Sequence, residues 1–239
     1  MKTKMSFGLL ATILLITACN SETIRVSDTI TTETYAFSDY STLQISGDMD
    51  AFVQFSDSVE QIEIETNENL QDKIIVSKDG NTLRIRLEDN IGIKGNATMK
   101  AYITTANISG YRISGDSSVA LENTLSTDEV SVNLSGNSNF SGQLAVNTLD
   151  VDLQGDSECN VFGTARSVNA AIQGDSELKD YDLNVNDLVI DLSGDSEAFL
   201  SVSNTIDVNA SGDSELNYRG DAEITRQRLS GDAKVNKRD

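Results

Sequence analysis

The chain of 239 residues contains no histidine, no tryptophan and no proline, and only two cysteines. Without imidazole, Ser-His-Asp and Cys-His catalysis are excluded, and so are zinc and copper sites that need histidine. Cys19 lies where an export signal would be cut, which leaves Cys159 without a partner, so no disulfide staples the fold. Aromatic rings are scarce: 7 Phe and 6 Tyr offer few platforms on which a sugar could stack. Basic residues are scarcer than acids, 18 against 38, and a net charge of −20 repels nucleic acid and anionic headgroups. Past the first twenty residues, no apolar run approaches the length of a membrane-spanning helix.

Those first twenty residues read as a bacterial lipoprotein signal. Lys2 and Lys4 precede an apolar stretch from Met5 to Ile16, and "ITAC" places small residues directly before Cys19. Residues 1–18 are then a signal peptide, Cys19 the lipidation site, and 19–34 a lipidated tether. Several acyl chains on one cysteine hold a protein at a bilayer where one alone holds it marginally, so the membrane is an expected partner through that anchor. Asn20 follows the cysteine, where Asp would resemble an inner-membrane retention signal; the expected location is the cell envelope, at the outer membrane. Removing Lys2 and Lys4 with the signal leaves 16 basic against 38 acidic residues, a net charge of −22.

The feature with most information is a repeat. Gly115, Gly136, Gly155, Gly174, Gly194, Gly212 and Gly231 fall at intervals of 21, 19, 19, 20, 18 and 19 residues, mostly inside Gly-Asp-Ser-Glu or a close variant. Before each glycine the apolar residues alternate, as in Leu149, Val151, Leu153 and Leu188, Ile190, Leu192, which is the pattern of a half-buried strand. Four residues after it stand Val119, Phe140, Cys159, Leu178, Ala198 and Leu216, where a second inward strand begins. Two short strands and a polar return, written every ~19 residues, cannot close a sheet within one unit and must stack on their neighbours. The fold class is therefore all-β, a parallel β-helix or β-solenoid, its repeat units forming a rod roughly 30 Å long at ~4.8 Å per strand. A propeller blade needs about forty residues. In this register Cys159 is a small core residue.

Residues 35–239 form a single solenoid domain in this reading: a β-rich lead-in over 35–110, regular coils over 111–220, and a cap over 221–239 that ends in "KVNKRD". The lead-in contains a hairpin signal, Asp79-Gly80, between two β-rich runs. It also contains "ISGDMD" at 45–50, an early copy of the turn.

The repeated acids form two series, Asp156, Asp175, Asp195, Asp213 one residue after the glycine and Glu158, Glu177, Glu197, Glu215 three after it. Asp, Asn and Ser close corners by bonding their own backbone, and Asn137 replacing Asp fits that structural job. Stacked acids are also a candidate cation ladder, with Ca2+ as the possible ion, because hard cations take several oxygens. The string does not match the aspartate-rich nonapeptide of calcium-binding β-rolls, so turn chemistry comes first. Acids that follow the repeat coil by coil do not mark one active site, and no catalytic residue is assigned.

The signal, "YSTLQISGDMDAFVQF", "TNENLQDKIIVSKDGNTLRIRLED" and the successive "ISGDS", "LSGNS" and "LQGDS" turns resemble the bacterial putative auto-transporter adhesin family with the head GIN domain. The likeness runs from about Tyr35 to Val235. It implies an exported β-solenoid with no catalytic residues and no small-molecule cofactor. The function expected is that of a non-enzymatic, adhesin-like envelope module whose partner is a surface glycan or protein. The alternative is a structural or stress-related envelope component, and a third reading is an enzyme acting on polysaccharide.

Overall fold

The computed structural model describes residues 22–239; the signal peptide, Cys19 and Asn20 lie outside them. One sheet of 18 strands winds through the chain, with a separate pair beside it. On one wall the strands preceding each turn stack in the order Ile74–Asp79, Thr82–Leu87, Thr42–Ser46, Gly110–Gly115, Leu125–Gly136 and on through the coils. The wall that follows the turn starts with Ile30–Tyr35, Gln61–Asn67, Met99–Thr105, Asp50–Phe55 and Ser118–Leu121. It ends at Lys234–Lys237, eleven strands in all, which at ~4.8 Å each makes a rod roughly 48 Å long. Pairing is parallel throughout the coils and antiparallel only in the lead-in. This is the β-solenoid that the repeat implies, lengthened by lead-in strands.

The glycine rungs account for the register. Gly47, in the early copy, lies next to Gly115, just past the last paired residues Ser46 and Ser114, and each later glycine pairs with the one before it, Gly136 with Gly155 and Gly155 with Gly174. The backbone there has a φ of 83 to 85° at Gly136, Gly155 and Gly174, a conformation that only glycine adopts without strain. A Cβ on Gly174 would also lie 2.6 Å from the Gly155 carbonyl oxygen. The lead-in hairpin forms as expected, with Asp79 paired to Thr82 and Gly80 at a φ of 58°.

Two elements differ from the sequence reading. The polar return is a third strand-bearing wall: Asn139–Gly155 and Glu158–Gly174 are continuous strands of 17 residues, and Leu144, Val146, Ala165, Leu183, Val185 and Val202 are buried on it. Between Val146 and Leu149 the inward residues are three apart and not two, because the chain turns a corner there, so an alternation counted back from glycine stops short of this wall. The second difference is in the tether assigned to 19–34. Glu22–Arg25 pairs with Ile91–Lys94, and Ile30–Tyr35 with Gln61–Asn67. Those segments are held by backbone pairing with little burial, which leaves no apolar pattern to read.

The last coil closes the rod. In the glycine register Gln227, a polar residue, falls opposite Val208, a bulge near Ile206 brings Ile224 opposite Ile206, and the strand Glu223–Gly231 is largely exposed. Its bases cover the acids beneath: Arg226 pairs with Asp207, and Lys234 with Glu215 at 2.8 Å. Bulge, charge and inward polar residue all oppose pairing of a free edge with another chain.

Cys159 is in register with Phe140 and Leu178 and is fully buried. Burial first, and the neighbouring Glu158 charge second, push its thiol up to about 12. At pH 8 a thiol reagent is therefore expected to leave the folded protein unmodified and to label Cys159 only as fast as the chain unfolds, since the thiolate is the reactive form. Rapid labelling in native buffer would contradict this placement.

Candidate functional site

At the corners after Gly155, Gly174, Gly194 and Gly212 the glycine is followed by an exposed Asp, a buried Ser and a Glu that is partly or fully exposed; Asn137 and Asn139 take the acid positions after Gly136. Ser117, Ser138, Ser157, Ser176, Ser196 and Ser214 are all at most 1% exposed and run up the inside of the corner as one row. Ser157 Oγ donates to the Gln154 carbonyl at 2.8 Å, Ser176 Oγ to the Gly155 carbonyl at 2.9 Å and Ser214 Oγ to the Ser211 carbonyl at 3.0 Å. Of the residue types to which the sequence gives the corner-closing job, Asp, Asn and Ser, it is the Ser side chains that do it here. Met49 takes the same place in the early copy, also fully buried.

The aspartates Asp156, Asp175, Asp195 and Asp213 contribute their backbone, each N–H donating at 2.8 to 2.9 Å to a glycine carbonyl of the preceding coil. Their carboxylates point into solvent without a hydrogen-bond or ion-pair partner among the described residues. The glutamates stack in one unbroken row, Glu158 to Glu177 to Glu197 to Glu215. Lys179 reaches into that row, 2.8 Å from Glu158 and 3.0 Å from Glu177, and Lys234 holds Glu215 from above. Among the described residues no three Cys, Asp or Glu side chains form a group that could hold a metal ion.

Glu197 is the member without a lysine. Partial burial raises its pKa first, and the Glu177, Glu215 and Asp175 charges raise it further. An acid whose pKa is raised on folding stabilises the fold fully at low pH, and that contribution is lost as pH rises through the folded value. Glu197→Gln is therefore expected to raise stability slightly at pH 7, by no more than about 0.5 kcal/mol for so exposed a site, seen as a small rise in melting temperature, and to be neutral at pH 3. A gain that is the same at both pH values would sink this account.

The pre-turn wall presents a flat polar face. Asn over Asp recurs between neighbouring coils: Asn169 donates to Asp150 and Asn209 to Asp191, each at 2.8 Å, and on the third wall Asn147 donates to Asp128 at 2.8 Å. The signal for these pairs is an Asn one repeat after an Asp. Where Ala171 falls in the row between Asp152 and Asp191, the surface dips. A depression of about 310 Å³ lies between Asp150, Asn169, Val189 and Asp191, and another of about 350 Å³ between Arg112, Asn133, Asp152 and Gln154. Exposed rings are on the other wall: Tyr102 stacked on Phe52 at 5.3 Å, and Phe162. The polar face holds donors and acceptors at one strand spacing, suited to hydrogen-bonding an extended ligand.

Several solved structures share this architecture. A putative lipid binding protein from Parabacteroides distasonis superposes with a TM-score of 0.77 at 19% identity, covering 91% of this chain and all of its own. A putative adhesin from Bacteroides fragilis gives 0.78 at 22% identity, over 90% of this chain and 98% of that one. A putative adhesin from Parabacteroides merdae gives 0.68 at 17%, over 92% and 100%. At such identities the likeness is one of fold. No curated protein matches the chain. Residues 39–222 match the family described as "Putative auto-transporter adhesin, head GIN domain", and the chain belongs to that family.

Proposed function

We propose that the protein is a non-enzymatic binding module of the bacterial cell envelope, lipid-anchored through Cys19 at the outer membrane, that offers its pre-turn face to a surface glycan or protein. The observation that carries this reading is the flat face itself: Arg112, Asn133, Asp152, Gln154, Asn169 and Asp191 line two shallow depressions. The family's description as an adhesin, and that of the relatives from Bacteroides fragilis and Parabacteroides merdae, support it. Acid positions that repeat coil after coil, with no coil singled out by a nucleophile and base, fit binding better than catalysis.

The test is an array of envelope and host-surface glycans and proteins probed with purified mature protein and with Arg112→Ala plus Asp152→Ala. Specific binding that the double substitution weakens supports the face as the site; a blank array removes the reading.

For the acid rows we propose solvation and corner geometry as their work, without calcium. If calcium raised the melting midpoint in a saturable way, and less after Asp156, Asp175 and Asp195 were changed to Asn, the rows would be a cation site instead, because a ligand that binds only the folded state must stabilise it.

A further inference from the structure

The strands Glu22–Arg25 and Ile91–Lys94 form a small sheet of their own, and their register sets Arg25 directly opposite Lys94. Like charges opposed across a strand pair repel. Neither of the two forms an ion pair with any described residue, in a chain that carries 38 acids. Lys73 nearby is treated differently, held by Glu22 at 3.0 Å and Glu88 at 3.4 Å. Arg25 and Lys94 share a cleft of about 520 Å³ with Ser27, Asn96 and Thr98, and Asp28 is the single acid in its lining. Asn67 fixes the walls: 4% exposed, it donates to the Ser27 carbonyl at 2.7 Å and accepts from the Thr98 N–H at 2.8 Å.

We propose that this cleft receives the phosphate headgroup of an anionic lipid in the membrane to which Cys19 is attached, an inference that rests on the lipid-anchored reading above. The length of chain between anchor and fold favours that occupant. From Cys19 to Glu22 is three residues, at most about 11 Å when extended, so the small sheet sits at the bilayer surface. Charge favours it too. At physiological salt the Debye length is about 8 Å, so the acidic coils further along the rod are screened from the lipid while Arg25 and Lys94 are not. Each basic side chain held at an anionic surface favours contact about fivefold, and the pair together about 30-fold. The lead-in end becomes a foot, and the coils point away from the lipid.

The test uses full-length protein purified from membranes, with acylation of Cys19 read by mass spectrometry. Thr29→Cys, exposed beside the cleft, takes a fluorescent label, since Cys159 is buried and Cys19 acylated. Quenching by headgroup spin-labelled lipid is compared in vesicles of phosphatidylcholine alone and mixed with phosphatidylglycerol. Stronger quenching in the mixed vesicles is expected, with the docked-to-undocked ratio falling about 30-fold in Arg25→Gln plus Lys94→Gln. Equal quenching in the two vesicles, or in the two proteins, overturns the proposal. If Cys19 carries no acyl chain the anchor reading falls separately, and sedimentation with the mixed vesicles still reads the cleft: retention lost in the double variant supports it, and no retention, or retention unchanged by the two substitutions, overturns it.

Discussion

Replacing Gly163 by alanine is expected to destabilise the protein by more than about 3 kcal/mol, lowering its melting midpoint by roughly 10 °C. Gly163 has a φ of 109°, and a Cβ there would stand 2.2 Å from the Leu144 carbonyl oxygen in the coil below. The positive φ alone costs on the order of 1–3 kcal/mol for a residue with a side chain. The overlap with backbone cannot be relieved by a rotamer change; the two coils must part, at the expense of the backbone ladder that joins Asn139–Gly155 to Glu158–Gly174. Gly80→Ala is the control. It has a φ of 58° with nothing within 4 Å of the added carbon, so about 1–2 kcal/mol is expected. Circular dichroism melts of the two variants decide the matter: equal losses would mean that backbone strain dominates and that close stacking of coils contributes little.

Phe140→Ala is expected to cost about 3–5 kcal/mol. Phe140 is fully buried, its ring 4.7 Å from that of Tyr111, and it stacks in register between Val119 and Cys159. Phe140→Leu keeps most of the volume and should cost less than about 1.5 kcal/mol. Because each coil touches chiefly its neighbours, the damage should stay local. Hydrogen exchange is expected to quicken in strands Ser118–Leu121 and Glu158–Gly174 and to change little in Glu223–Gly231. A uniform rise along the whole chain would instead mean that the rod unfolds as one unit, with no nearest-neighbour character.

What could be read from residues alone follows where local rules act without interference. Gly155 and its equivalents announce themselves because one backbone conformation and one close contact admit a single residue type. Cys159 could be placed because its neighbours at the same offset, Phe140 and Leu178, are unmistakably apolar. The third wall escaped because the corner at residues 147 and 148 breaks the alternation by one residue, so Leu144 and Val146 fall out of phase with Leu149. Ser157 and Ser176 escaped because serine is at home on any surface; only the stacking of coils shows that these hydroxyls are inside. The acid rows were legible as rows, but the insertion of Lys179 between Glu158 and Glu177 depends on side-chain reach across coils. Arg25 opposite Lys94 pairs residues 69 apart in sequence, on strands of four residues that are too short to show their register.

The parallel pairing has a mechanical corollary. Hydrogen bonds between coils, such as those joining Asn139–Gly155 to Glu158–Gly174, run along the rod and not across it. A pull between the foot and the far tip therefore loads the rungs in series, each bearing the full tension, and the weakest rung yields first. That rung is the terminal coil Glu223–Gly231, with its bulge and its scant burial. Under traction the rod would shed its tip as a fuse while the coils nearer the anchor stay wound.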